Sequence, residues 1–141
     1  MCGVGSLDRR LRDAVDYEFP AGASLGAGEY LVVVGFDPGD SGLLSAFRAR
    51  FNVGTNVAVY GPWRGDLDNA GESVELEWPD VPEAPPAARY VPYVLAERVT
   101  YGDGAPWPVR ADGYGVSLQR VNMGTFGNDP ANWVGAAPGV G

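Results

Sequence analysis

The chain has 141 residues, enough for one domain, and its 45% hydrophobic residues can furnish a core. Its formal net charge is -8 and it contains no His. That excludes Ser-His-Asp and Cys-His catalysis and any His-based metal site, and an acidic chain without a basic patch lacks the electrostatic footprint for nucleic acid.

Gly and Pro are high together, at 21 and 12, alongside 11% aromatic residues. This balance points to a loop-rich all-β domain rather than to disorder. All ten basic residues are Arg, scattered except for Arg9, Arg10 and Arg12. Such a chain is repelled by anionic membranes. No apolar run is long enough to span a bilayer, so no membrane insertion is expected. The N-terminus lacks the apolar stretch of a signal peptide. Cys2, the single cysteine, cannot form an internal disulfide and reads as an incidental thiol.

Residues 1–8 read as a loose N-terminus. The stretch 9–19 is expected as one polar strand, ended by Pro20-Ala21-Gly22. Residues 28–36 form the clearest strand, and their Val-rich run predicts burial on both faces or a central position. A turn over 37–40 leads into a change of period. Leu43, Leu44, Phe47 and Phe51 recur at helical spacing, which predicts one short helix at about 41–50, capped by Asp40 or Ser41. Its apolar face is expected to cover an open end of the fold.

A short strand follows over 56–60, and Asn69-Ala70-Gly71 supplies a turn. After it, Val74, Leu76 and Trp78 alternate with Glu75 and Glu77, a half-buried strand with Trp78 toward the core and its carboxylates toward water. The stretch 79–89 carries four prolines and reads as an exposed connection. Residues 90–101 read as another strand, with Val91, Tyr93, Leu95, Val99 and Tyr101 on one face. Glu97 interrupts that series and predicts an edge or a bulge near Glu97-Arg98. The segment 135–141 reads as a flexible tail.

Candidate chemistry is sparse. Asp66, Asp68 and Glu72 are weak metal candidates: from Asp66 the segment matches an EF-hand loop at four ligand or glycine positions but places Ala70 where a ligand is required, and a strand pattern follows instead of a helix. An acidic hairpin turn is the expected reading, with a weak calcium site as the variant. Carboxylate pairs drawn from Asp66, Asp68, Glu75, Glu77 and Asp112 are the alternative basis for a hydrolase acting on polysaccharide or phosphoester. Trp63 and Trp107 sit in Pro/Gly turns, and with Tyr114 they are the candidate surface for a protein or glycan partner.

The pieces VDYEFPAGASLGAGEYLVVV, FRARF, GPWRGDLDNAGESVEL and VTYGDGAPWPVRADGYGVSLQR with NDPANW, in this order, resemble the lamin-tail domain. That family is an immunoglobulin-like β-sandwich of nuclear lamins and of many bacterial surface or secreted proteins. The resemblance implies an all-β, immunoglobulin-like sandwich over 9–134 with one short helix. It implies a non-catalytic interaction or structural module, without cofactor, at the cell surface or in a secreted protein. The alternatives are an Asp/Glu-dependent extracellular hydrolase and a calcium-stabilised adhesion module. Members of the family open with one or two further strands that this chain does not contain, and Arg9-Arg10 stand where a Gly-Trp is expected. A strand from upstream sequence or from another chain is therefore expected to complete the sheet, because an unpaired edge is a pairing liability.

Overall fold

The computed structural model describes residues 9–79 and 93–139. The loose N-terminus expected over 1–8 lies outside them, as does the connection expected over 79–89 except for Pro79, which ends a strand instead. Strands make up most of the regular secondary structure among the described residues, paired antiparallel in all but one ladder, with one α-helix and two short 3₁₀ turns.

Strands β1 (Arg10–Asp13) and β2 (Val15–Glu18) replace the single strand expected over 9–19. The cause is local. Asp13 takes a left-handed backbone (φ 78), a conformation its short polar side chain tolerates, and the chain reverses so that Leu11 faces Tyr17. Strand β3 (Leu31–Val33) is far shorter than the 28–36 expected, and it has a single neighbour rather than a central place. Its Val-rich run is half-buried, and only Val34, just past it, is buried. Strand β4 (Ala58–Tyr60) pairs with β3 in parallel. A parallel pair needs a crossover, and the helix supplies it.

Helix α1 spans Ser41–Phe51, in agreement with the sequence period. Asp40 is its N-cap: the side chain accepts from the backbone N–H groups of Gly42 at 3.0 Å and Leu43 at 3.1 Å. Asn52 ends it in the left-handed region (φ 52). Its aromatic face packs on the segment after β3, with ring centroids 5.5 Å apart for Phe36–Phe47 and 5.1 Å for Phe47–Phe51. Leu43, expected on that face, is half exposed.

Strands β5 (Arg64–Gly65), β6 (Gly71–Pro79) and β7 (Tyr93–Gly102) complete a five-stranded sheet ordered β5–β2–β1–β6–β7. Gly71 opens β6 at φ 130, and a Cβ there would meet the Tyr101 carbonyl oxygen at 2.6 Å, so only glycine fits the close approach of the two strands. β7 is an edge strand, and the expected irregularity is present. Leu76 pairs with Glu97 but Glu77 pairs with Leu95, which leaves Ala96 as a bulge. The bulge reverses the alternation. Val99 and Tyr101 stay on the face of Val74 and Leu76, whereas Tyr93 and Leu95 move to the face of Glu77 and Arg10.

That second face is not the solvated row expected for Glu75 and Glu77. Arg10 reaches Glu77 at 2.7 Å from β1, Arg98 pairs with Glu75 from β7, and the Ser73 and Thr100 hydroxyls meet at 2.7 Å. Side chains of opposite charge on neighbouring strands cover each other, so both glutamates are largely withdrawn from water. The Arg10 guanidinium also lies 3.4 Å from the centre of the Tyr93 ring.

Strands β8 (Ser117–Arg120) and β9 (Trp133–Ala136) form a separate antiparallel ladder. The strand conformation therefore continues two residues past 134. Buried side chains among the described residues are small: Ala14, Val15, Ala23, Val34 and Val53 form the apolar set. Larger groups are half-buried in clusters such as Tyr17–Phe19–Tyr60, packed edge to face. The Asp40→Ala variant loses both cap bonds and should cost about 1 kcal/mol, seen as a lower urea midpoint at an unchanged slope.

Candidate functional site

The apolar face of β1, β6 and β7 does not end in solvent. Leu11, Val74, Leu76, Val99 and Tyr101 form the floor of an open groove of about 510 Å³. Val116 just before β8 and Leu118 within it, with Trp133 from β9, form the facing wall. Trp107 closes one side. Its ring lies 6.2 Å from that of Trp133, and the Gly102 backbone passes beneath it, with room for no more than a Cβ at 3.4 Å. Leu67, Asp68, Asn69, Asp103 and Asp112 stand on the rim.

Polar clamps rather than a dry core hold the wall over the floor. Arg120 of β8 pairs with Glu97 of β7 at 2.8 Å and donates to the Thr125 carbonyl at 2.6 Å. The Trp133 indole donates to the Gly127 carbonyl at 2.7 Å. Asn128 accepts the Thr100 N–H at 2.7 Å, which ties the loop to the outer edge of β7. At the centre is Asn132, the one buried polar residue among the described residues. Its oxygen accepts the Asn122 N–H at 2.9 Å, and its amide donates to the Asn122 carbonyl at 2.9 Å and the Phe126 carbonyl at 3.4 Å. The loop it shapes exposes Val121, Met123 and Phe126.

The rim is also built from hydrogen bonds. Asn69 donates to Asp112 at 2.7 Å, bridging the turn before β6 and the segment before β8. Tyr101 donates its hydroxyl to the Asp68 carbonyl at 2.7 Å. Burial, and then the charges of Glu72 and Asp68, raise the Tyr101 phenol above its ordinary value. Burial raises Tyr17 in the same direction.

The candidate residues divide among three places. Trp107, Asp68 and Asp112 line the groove. Trp63 does not; its indole lies against Gly35, at 3.1 Å from where a Cβ would stand. Tyr114 is 78% exposed and outside the lining, so Trp63, Trp107 and Tyr114 are not one platform on this groove. Trp78, expected toward the core, shares the face of Leu76 by register but is 43% exposed, with the Arg9 guanidinium 5.2 Å from its ring. The strand alternation places it on the apolar face, and that end of the face leaves it well short of burial.

Asp68 and Glu72 serve the turn. Asp68 accepts the Ala70 N–H at 2.8 Å, and Glu72 accepts the Asp68 N–H at 3.0 Å. Among the described residues no group of three or more Cys, Asp or Glu side chains converges as a metal site. No helix among them is long and apolar enough to cross a membrane. The groove's wall and its Asn132 clamp escape sequence reading, because Asn132 looks like an ordinary turn residue until its loop closes around it. The Asn128-Asp129-Pro130 punctuation was the available signal, and Asp129 does cap the turn that delivers Asn132, accepting the Ala131 N–H at 3.0 Å.

Compared with known proteins, the chain matches no family model, no curated protein and no solved structure.

Replacing Asn132 with Ala leaves an N–H and two carbonyls of the loop without their partner and should cost about 2 kcal/mol, with faster amide exchange over 121–127. The raised tyrosines set an alkaline limit. The unfolded chain ionises its phenols first, so the stability they contribute is intact below pH 10 and lost as pH rises through their folded values. Urea midpoints should hold from pH 7 to 9 and fall by pH 11, and Tyr101→Phe should reduce that fall.

Proposed function

We propose that the chain is a non-catalytic interaction or structural module of the lamin-tail type, an immunoglobulin-like β-sandwich acting at the cell surface or within a secreted protein. It binds protein or glycan. The observation that carries this reading is the open apolar groove between β1–β6–β7 and the β8–β9 ladder, with the Trp107–Trp133 pair at its side. A soluble chain gains by covering such a surface, because apolar area removed from water stabilises by roughly 25 cal/mol per Å².

The carboxylates nearest the groove support binding better than chemistry. Asp112 is held by Asn69, and Asp68 is held by its own turn. Glu75 and Glu77 lie on the opposite face, occupied by arginines.

Two assays on the whole chain test the reading. Chromogenic glycosides and phosphoesters should show no turnover above buffer. Tryptophan emission should respond to an unfolded model protein (reduced, carboxymethylated lactalbumin) or to soluble polysaccharides, and the response should be lost in Trp107→Ala. Turnover that falls in Asp68→Asn or Asp112→Asn would replace this reading with a hydrolase. Silence toward both ligand classes would remove the binding role.

A further inference from the structure

Backbone polarity narrows what the groove can take. In the β8–β9 ladder the Val121 N–H bonds to the Asn132 carbonyl, so by antiparallel alternation Gln119 and Ser117 face β9. The N–H and C=O groups of Leu118 and Arg120 then point the other way. Among the described residues no third strand pairs with β8, and no turn or cap bond engages those two N–H groups. Leu118 lines the groove, so the ladder turns this face toward the apolar floor, and a strand added at the free edge would carry its alternate side chains on that same face. A small apolar molecule would fill the groove and leave the edge unpaired. An extended polypeptide satisfies both, its backbone on the edge and alternate side chains on the floor.

Charge selects among extended polypeptides. Asp68, Asp103 and Asp112 stand on the rim and Glu97, paired to Arg120, in the lining, and no arginine is among the described lining residues. The whole chain carries -8, which favours approach by a cationic partner. The apolar face also runs on past the groove to Trp78 and Val94, opposite each other in register and 43% and 40% exposed. The uncovered strip is therefore longer than the groove.

We propose that this groove binds an extended strand of another protein, apolar at alternate positions and bearing Lys or Arg at the end that lies over Asp103 and Asp112, and that the strand adds to the free edge of β8. The proposal rests on the interaction-module reading above and names its partner.

The test uses the full chain and synthetic eight-residue peptides that alternate Val and Thr, capped at both termini. One series ends in Arg, one in Glu, and one Arg-ended peptide carries a central Pro. The Arg-ended peptide should shift tryptophan emission and slow amide exchange at Leu118 and Arg120 at least tenfold. The Glu-ended and Pro-containing peptides should bind at least tenfold more weakly. The Asp103→Lys, Asp112→Lys double variant should reverse the preference between Arg and Glu ends. Asp112 accepts from Asn69 whereas Asp103 makes no side-chain bond among the described residues, so Asp103→Lys alone, which leaves the Asn69 bond in place, should shift the preference in the same direction.

Equal binding of the three peptides, or binding without protection at Leu118 and Arg120, overturns the proposal. A concentration-dependent dimer that protects the same amides assigns the edge to a second copy and also overturns it. The dye anilinonaphthalene sulfonate separates this failure from that of the broader reading. Dye bound in the wild type and lost in Leu118→Arg, with no peptide binding, leaves an open interaction groove without a strand partner. Neither dye nor peptide bound means the groove is closed, and both readings fall.

Discussion

The β6–β7 ladder is the constraint on which the remainder of the structure depends. It is the longest pairing among the described residues, and β1, β2 and β5 are added to it in turn. Its side chains divide two tasks by alternation. One face carries the crossed ion pairs of Arg10, Glu75, Glu77 and Arg98, and the other carries the groove floor. The bulge at Ala96 decides where the floor stops. Without it, Leu95 would extend the apolar row beside Glu97. With it, Leu95 joins the ion-paired face, and Glu97 is left as the carboxylate that Arg120 anchors. One extra backbone residue thus places the single ion pair by which β8 reaches back to the sheet.

That link explains how a wall can stand over a groove that is not filled. In a dry core, apolar contact between layers fixes their spacing. Here two directional bonds reach from the wall to the sheet, Arg120 to Glu97 and Asn128 to Thr100, and the loop that carries them is shaped by Trp133 to Gly127 and the three bonds of Asn132. Individually such bonds contribute about 1 kcal/mol, much less than burial of a large apolar side chain. Their advantage is geometric. They hold two surfaces apart at a fixed distance without requiring that the space between be occupied, which a groove for a partner requires and a closed core does not.

Sequence reading recovers what is local. The helix was legible because Asp40, Leu44, Phe47 and Phe51 lie within three turns of each other, and cap and period agree. The Asn69-Ala70-Gly71 turn and the irregularity near Glu97 were legible for the same reason. What depends on distant neighbours was not. Nothing in Leu11–Tyr17 announces that Asp13 turns the chain back, since that reversal is stabilised by β6, where the Ser73 carbonyl accepts the Ala14 N–H at 2.9 Å. Trp78 alternates as a core residue should, yet burial needs a partner on the far side that alternation cannot supply. Glu75 and Glu77 read as solvated because their arginines come from β7 and β1. Of the site, Trp107 was singled out from its proline frame, whereas Trp133 and Asn132 acquire their roles only through the loop they close.

The distribution of charge gives these pieces one physical direction. Five of the ten arginines are bonded to other parts of the fold: Arg10 and Arg98 on the ion-paired face, Arg12 to Glu18 at 2.7 Å, Arg48 to the Val57 carbonyl at 3.0 Å, Arg120 to Glu97. Each of these cations is neutralised or bonded within the chain, whereas Asp103 and its neighbours on the groove rim keep their charge toward solvent. An apolar floor beneath an anionic rim is poorly matched to another copy of the same acidic protein, since two such rims brought together repel. It matches a partner that brings apolar side chains and positive charge together. Excess acid in the composition, read first as the absence of a nucleic-acid surface, is at this groove the term by which the proposed site would discriminate among polypeptide strands of equal hydrophobicity.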